Sequence, residues 1–226
     1  MSSAAMIKEK SYSETHVERS VQGNTPNVFT NIYQENTNIA TWQRDLSQEL
    51  TLAVDDFLKR NKTKATVLAV TPENTQDALI EAFGVTEIAQ ALRDDITLLV
   101  DMFCCLFDIK GVGLRISILE RAMCPRFHVD KIPCRLVTTY HGVATDWLLH
   151  DVIDRGKLGT GNQGKSDEQS GLFNSLSDIN RLKKGDVALL KGEGWYNNNG
   201  AGLVHRSPPV AEGERRLLLT LDFLSD

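Results

Sequence analysis

The sequence lacks the features that mark several large classes of protein. Its 226 residues carry a net charge of −5 at pH 7, so no general attraction to nucleic acid or to an anionic membrane is expected. No apolar run reaches the ~18 residues needed to span a bilayer, because Asp101 interrupts the best candidate, at 96–107. The first residues show no signal-peptide pattern. We therefore expect a cytoplasmic protein with no nucleic-acid or membrane partner.

Cysteine is also scarce, with four residues in the whole chain. This number does not suit a disulfide framework, and the adjacent Cys104 and Cys105 cannot easily bridge each other. We expect reduced thiols, with the pair lying on the buried face of a helix, where cysteine behaves as a small hydrophobe.

The composition that remains, 41% hydrophobic and 24% charged, is typical of a folded globular chain. Residues 1–25 are polar and show no periodicity, which predicts a mobile tail. Residues 26–226 are predicted to form a single domain with a mainly helical part, 26–111, and a β-rich part, 112–226. The predicted fold class is α+β, with the N-terminal helices packed on the C-terminal β-structure.

Periodicity places the individual elements of this domain. Helical spacing predicts helices over 40–61, 72–84 and 86–108. Alternating or β-branched segments predict strands at 65–70, 113–123, 134–140, 186–191, 202–207 and 215–224. The glycine-rich stretch 155–172 follows no predicted strand, so it does not suit a phosphate loop and is predicted to be a mobile surface loop or lid.

The segment CPRFHVDKIPCRLVTTY, 124–140, holds a His-x-Asp pair. Residues two apart in a strand point to the same face, so His128 and Asp130 lie side by side, ~6.6 Å apart along the chain. An isolated pair of this kind also suits a plain surface. One more imidazole would complete a facial metal triad with three open positions. His205, 75 residues after Asp130 in GLVHRSPP, is the candidate that lies on a predicted strand.

This order of residues resembles the iron(II)- and 2-oxoglutarate-dependent dioxygenases, in particular the prolyl 4-hydroxylase-like members. The resemblance covers about 113–223 and includes FHVD, KKGDVALLKG and HRSPPVAEGERRLLLTLDF. It implies a double-stranded β-helix (jelly-roll, cupin-like), with His128, Asp130 and His205 as the iron ligands and the catalytic centre. The chain also resembles a bacterial family of unknown function that carries the CPRFHVD signature.

The resemblance further implies an arginine that grips the distal carboxylate of 2-oxoglutarate. Arg215 and Arg216 follow His205 at ten and eleven residues, and both spacings occur in the family. Successive residues of a strand face opposite sides, so only one arginine can point inward. The preceding Gly-Glu slightly favours Arg215. Tyr140 is expected to donate its hydroxyl to the same ligand.

The implied function is hydroxylation of an unknown substrate, a small molecule or a protein, with iron(II), 2-oxoglutarate and dioxygen. The alternative is a non-catalytic protein that binds a divalent metal such as zinc, through the same fold or through a Cys-x3-His-x5-Cys cluster of Cys124, His128 and Cys134. On a straight strand these cysteines would lie ~13 Å and ~20 Å from His128, although Pro125 and Pro133 could bend its ends.

Overall fold

The computed structural model describes residues 19–62 and 64–224. Within them, the α-helices are α1, Gln48–Arg60; α2, Thr75–Phe83; α3, Gln90–Phe107; and α4, Asp167–Ser170. Short 3-10 segments cover Pro26–Tyr33, His150–Val152, Arg155–Lys157, Gly159–Asn162 and Leu176–Asp178. None of these helices has the length and apolar character needed to cross a bilayer.

The predicted helix 40–61 begins eight residues late, because its first part is a strand. Ile39–Trp42 lies within the large sheet, and Ile39 to Thr41 are buried there. The helix starts where Ser47 accepts a hydrogen bond from the backbone N–H of Leu50 at 3.1 Å, which caps the first turn. Burial in a sheet has overridden a helical pattern of apolar residues.

The strands form two sheets. They are β1, Ser20–Gly23; β2, Ile39–Trp42; β3, Ala65–Val70; β4, Val112–Leu119; β5, Cys134–His141; β6, Asp146–Leu148; β7, Ile179–Arg181; β8, Val187–Lys191; β9, Val204–Arg206; and β10, Arg216–Phe223. The large sheet has the order β1-β2-β8-β5-β10-β4-β3, and the small one has the order β7-β6-β9. Every pairing is antiparallel except the parallel pair of β1 and β2.

The predicted domain layout needs correction near the N-terminus. The predicted tail ends too late: residues 1–18 lie outside the described residues, but Ser20–Gly23 forms β1 against β2. The part 26–111 consists mainly of helical segments, but it also supplies β2 and β3 to the large sheet. Strands near the N-terminus therefore complete a sheet whose centre comes from later in the sequence.

The large sheet packs differently on its two faces, as β10 shows. Leu217, Leu219 and Leu221 join the main hydrophobic core with α1, α2 and α3. Leu218 faces the other way and packs with Trp147 of β6 in a second cluster. The helices therefore cover one face of the large sheet, and the small sheet covers part of the opposite face. The fold is a mixed α and β structure built around a large, mostly antiparallel sheet.

Candidate metal centre

Two histidines that are far apart in sequence lie opposite each other. His128 and His205 form an isolated antiparallel bridge, in which each backbone N–H donates to the other residue's carbonyl oxygen at 3.0 Å. Directly opposed residues of an antiparallel pair place their side chains on the same face. Their ring centroids are 4.6 Å apart. The predicted convergence of His205 on the His-x-Asp pair is therefore present in the fold.

Asp130 completes a group of three possible metal ligands. Its carboxylate oxygens lie 3.8 Å from His128 Nε2 and 3.5 Å from His205 Nε2. The ligand atoms of all three residues lie within 4.8 Å of one another, and no other such group occurs in the described part of the chain. Two ligands bound at ~2.1 Å can be at most about 4.2 Å apart, so a small closing movement fits the three around one divalent ion.

Both imidazoles are oriented by backbone carbonyls. His128 Nδ1 lies 2.9 Å from the carbonyl oxygen of Arg126, and His205 Nδ1 lies 3.2 Å from that of Leu203. A carbonyl oxygen can only accept, so each Nδ1 carries the hydrogen and each Nε2 presents its lone pair toward Asp130. This is the arrangement that holds metal-binding histidines in the correct tautomer.

His205 is neutral at physiological pH. Its side chain is buried, and this burial lowers its pKa to about 4, with the His128 ring acting in the same direction and Asp130 against it. A metal ion requires the neutral form of the imidazole. His205 therefore needs to lose no proton when an ion binds near pH 7.

Asp130 is held by an arginine that belongs to a larger ion-pair chain. Arg135 Nη1 donates to Asp130 at 2.8 Å, and its other nitrogens make a bidentate pair with Asp222 at 2.7 and 2.9 Å. The bidentate pair fixes the guanidinium on β5 against β10. The carboxylate of Asp130 is thus held in its orientation before any ion is present.

The backbone around Asp130 depends on a close approach by Gly192. The N–H of Glu193 donates to the carbonyl oxygen of Asp130 at 2.9 Å. A Cβ atom at Gly192 would lie 2.1 Å from the carbonyl oxygen of Ile132 and 2.8 Å from that of Asp130. Only glycine fits there, which explains why the KGEG sequence follows β8.

Asp167, which the sequence did not single out, supports both histidine-bearing segments. It accepts a hydrogen bond from the backbone N–H of Phe127 at 2.9 Å, next to His128. It also lies 2.8 Å from Arg126 Nε and 3.3 Å from Nη1 of Arg206, the residue after His205. Its carboxylate is buried. Its position in the glycine-rich stretch 155–172 gave no signal, because nothing in that stretch indicates which acid turns inward.

A pocket of about 270 Å³ opens between the two sheets beside the three ligands. Its walls combine apolar side chains, hydroxyls and four arginines. The lining residues are Arg115, Met123, Cys124, His128, Arg135, Val137, Thr145, Leu190, His205, Arg206, Ser207, Arg216, Leu218 and Thr220.

Arg216 lies at the buried end of this pocket. Its guanidinium donates to Ser207 Oγ at 2.7 Å, to Thr145 Oγ1 at 3.0 Å and to Thr139 Oγ1 at 3.2 Å, while its buried Nε has no partner. Among the described residues no carboxylate comes within ion-pair distance of it. Burial lowers its pKa to about 10, so it remains charged at pH 7. A buried cation that contacts only neutral groups is suited to receive an anion.

The slight preference for Arg215 is wrong. Arg215 shares its strand face with Leu217 and points toward the helices, where its guanidinium donates to the carbonyl oxygens of Leu58 and Asn61. Arg215 and Arg216 face opposite sides, as alternation predicts, but the Gly-Glu turn that precedes β10 does not set which arginine faces the pocket. Arg216, the first residue of β10, shares the pocket face with Leu218 and Thr220.

The expectation for Tyr140 is also wrong. Its side chain is buried in the main hydrophobic core, on the helix side of β5. The hydroxyl donates to Asp95 of α3 at 2.6 Å, and Arg44 binds the same carboxylate bidentately at 2.6 and 2.9 Å. Tyr140 therefore attaches a helix to the sheet. Thr139, one residue earlier, has the pocket-facing parity and contacts Arg216.

The cysteine-based zinc cluster does not assemble. Cys134 is fully buried in the main core on the helix side of β5, and this burial raises the pKa of its thiol. Cys124 lines the pocket but belongs to no group of ligands that could share an ion. Neither cysteine replaces a member of the histidine and aspartate group.

Fold and site together define a protein with a metal-ligand group between two facing sheets. The chain belongs to the family described as "Protein of unknown function (DUF1826)", whose model matches residues 23–222. That CPRFHVD is a signature of this family stays a prediction. No curated protein matches the chain by sequence.

Solved structures resemble it in fold. The dioxygenase for auxin oxidation 1 from Arabidopsis thaliana, in complex with 2-oxoglutarate, aligns with a TM-score of 0.51 at 9% identity, over 92% of each chain. The rice dioxygenase for auxin oxidation aligns with a TM-score of 0.49 at 10% identity, over 91% of this chain and 82% of that one. A Pseudomonas putida prolyl-4-hydroxylase aligns at 0.44 and 11% identity, over 88% and 98%. At these identities the likeness concerns the fold alone.

Proposed function

We propose that the protein is an iron(II)- and 2-oxoglutarate-dependent oxygenase that hydroxylates its substrate. We further propose that its two facing sheets are the double-stranded β-helix (jelly-roll, cupin-like) of that class. When bound, iron(II), 2-oxoglutarate and dioxygen supply the oxidising chemistry. The observation that carries the proposal is the combination, in one pocket, of a two-histidine, one-carboxylate group and a buried arginine with no acidic partner among the described residues.

His128, Asp130 and His205 fit the metal. Two imidazoles and one carboxylate that converge from one side form the facial set that leaves positions open for other ligands. The Nδ1 contacts fix both rings with Nε2 toward the ion, and the ion pair with Arg135 fixes the carboxylate. The protein therefore presents its three ligands in a suitable orientation before the ion arrives.

Arg216 fits the far carboxylate of 2-oxoglutarate. A guanidinium binds a carboxylate bidentately, and it does so more strongly where water is excluded. Ser207, Thr139 and Thr145 hold the guanidinium in place while leaving Nε without a partner. The charge of the ligand would compensate the buried cation.

The same three ligands would also bind zinc in a protein without catalytic activity. Such a protein has no need for a buried arginine in the ligand pocket. Arg216 therefore favours the oxygenase over the metal-handling alternative, and 2-oxoglutarate binding separates the two.

The test is an anaerobic titration of the iron(II)-loaded protein with 2-oxoglutarate, followed by the visible charge-transfer band of the chelate. We expect the wild type to show the band and Arg216→Gln to lose roughly 2–5 kcal/mol of binding free energy, since a charge-assisted pair is removed. Arg215→Gln is the matched control and should titrate as the wild type does. His205→Ala should fail to bind the metal.

A wild-type protein that binds iron(II) but shows no band and no 2-oxoglutarate binding at millimolar concentration would contradict the oxygenase. The divalent-metal-binding alternative would then take its place. Equal losses in the Arg215 and Arg216 variants would contradict the assignment of Arg216.

A further inference from the structure

The uncovered face of β3 carries apolar residues where polar ones are expected. Thr66, Leu68 and Val70 alternate toward the helices, so Ala65, Val67 and Ala69 face the side of the small sheet. All three are exposed, Val67 by 58%. A sheet face that contacts water normally alternates to polar residues. We call the face formed by Ala65, Val67 and Ala69 the β3 shelf.

Arg115 stands between this shelf and the pocket. In the register of the large sheet it is opposite Val67 of β3 on one side and Thr220 of β10 on the other. Both Arg115 and Thr220 line the pocket. The shelf therefore continues the pocket wall outward, with a cation at the junction.

Arg115 differs from the other arginines of the pocket. Arg135 is paired with Asp130 and Asp222, and Arg206 is paired with Asp146, Asp167 and Glu168. Arg216 lies at the buried end, with three hydroxyl partners. The side chain of Arg115 makes no hydrogen bond or ion pair with any of the residues that the structure describes. Its guanidinium is an exposed charge at the pocket mouth, and no described side chain pairs with it.

We propose that Arg115 and the β3 shelf bind the substrate, and that this substrate is a small molecule with a carboxylate and an apolar body. The inference rests on the proposed function, because it names the substrate class of the same site. The guanidinium would pair with the carboxylate, and the apolar body would cover Val67 and its alanine neighbours. The concave pocket and the net charge of −5 favour a small molecule over a nucleic acid or an acidic protein surface.

The test uses protein loaded with zinc, which is redox-inert, and saturated with 2-oxoglutarate so that Arg216 is occupied. Hexanoate and 3-phenylpropionate are compared with their neutral amides by ligand-observed saturation-transfer NMR. We expect the acids to bind and the amides not to bind. Arg115→Gln should weaken acid binding by about tenfold or more, and Arg115→Lys should weaken it less. Arg121→Gln removes an exposed arginine just beyond β4 and should leave binding unchanged.

Several outcomes would overturn the proposal. These are equal binding of acids and amides, unchanged binding to Arg115→Gln, and no binding of either acid at millimolar concentration. Acids that bind only when 2-oxoglutarate is left out would also overturn it, since they would then occupy the 2-oxoglutarate site. A wild-type dimer that dissociates in Val67→Glu by sedimentation would assign the shelf to a second copy and would also overturn it. Failure of 2-oxoglutarate to bind, with Arg115-dependent acid binding intact, would reject the proposed function alone.

Discussion

At the scale of single residues, Arg216 is the pocket residue whose burial costs the most folding free energy. A buried charge loses most of its hydration, and hydroxyl groups replace only part of it. The same cost is seen in the pKa of Arg216, which burial lowers to about 10. Arg216 should therefore lower the free energy of unfolding of the ligand-free protein and raise it when its anion is bound.

Replacing Arg216 with methionine tests this statement. We expect Arg216→Met to raise the free energy of unfolding without 2-oxoglutarate by about 1 kcal/mol or more, because an apolar chain of similar length replaces an uncompensated cation. The stabilisation that 2-oxoglutarate gives to the wild type should disappear. Urea unfolding of the metal-loaded protein with and without 2-oxoglutarate measures both effects.

Arg215→Met is the control, since it loses two bonds to backbone carbonyls and should not gain stability. Destabilisation of Arg216→Met in the absence of ligand by more than about 2 kcal/mol would mean that its bonds to Ser207, Thr139 and Thr145 are structural.

Residue spacing predicted part of this site. The remaining assignments depend on which face of its strand each side chain occupies. The His-x-Asp spacing predicted that these two side chains lie together, and they do, although 128–130 forms only the isolated bridge of His128 and no strand. Alternation leaves a single inward arginine. Which arginine that is depends on where β10 begins, at Arg216, and the sequence does not mark that boundary. Tyr140 and Thr139 pose the same problem, because one residue of register moves a side chain from the pocket to the core.

At the scale of elements, the two histidine-bearing segments are held together by a third segment, the one that contains Asp167. β9 has only three residues, and two backbone bonds join His205 to the His128 segment. Asp167, from the predicted lid, reaches both segments by bonding the N–H of Phe127 and pairing with Arg206. The sequence predicts the strands and the loop but not this tie, because it joins residues 39 or 40 positions apart through one buried carboxylate.

The substitution Asp167→Asn should therefore weaken metal binding, although Asp167 is no ligand. The amide keeps the size but loses the charge that holds Arg126 and Arg206, and supporting residues of this kind typically contribute 10–100-fold to affinity. Cobalt(II) titration, followed by its visible spectrum, measures both affinity and ligand geometry. Glu168→Gln removes the exposed partner of Arg206 and should change the affinity little. Equal effects of both substitutions, or an unchanged cobalt affinity in Asp167→Asn, would contradict the role of Asp167.

At the scale of the whole molecule, the metal group spans the junction between the large and small sheets. The predicted division into a helical half and a β half does not include the strands β1, β2 and β3, which come from before residue 71 and flank the later strands. Such long-range pairings cannot be read from local patterns. The ligands come from the segment before β5 and from β9, so one bound ion would connect parts of the fold that few backbone hydrogen bonds otherwise join.

Zinc or cobalt(II) should therefore stabilise the domain as a whole. Binding only to the folded state adds about 2.7 kcal/mol when the free metal is 100 times its Kd, which for a chain of this size raises Tm by about 5–10 °C.

His128→Ala and His205→Ala should lose the shift. Cys124→Ser and Cys134→Ser should keep it, because neither thiol belongs to the ligand group. Thermal unfolding with and without metal measures the effect. If the cysteine variants lost the shift while the histidine variants kept it, the metal would be bound by a thiolate site instead of this centre.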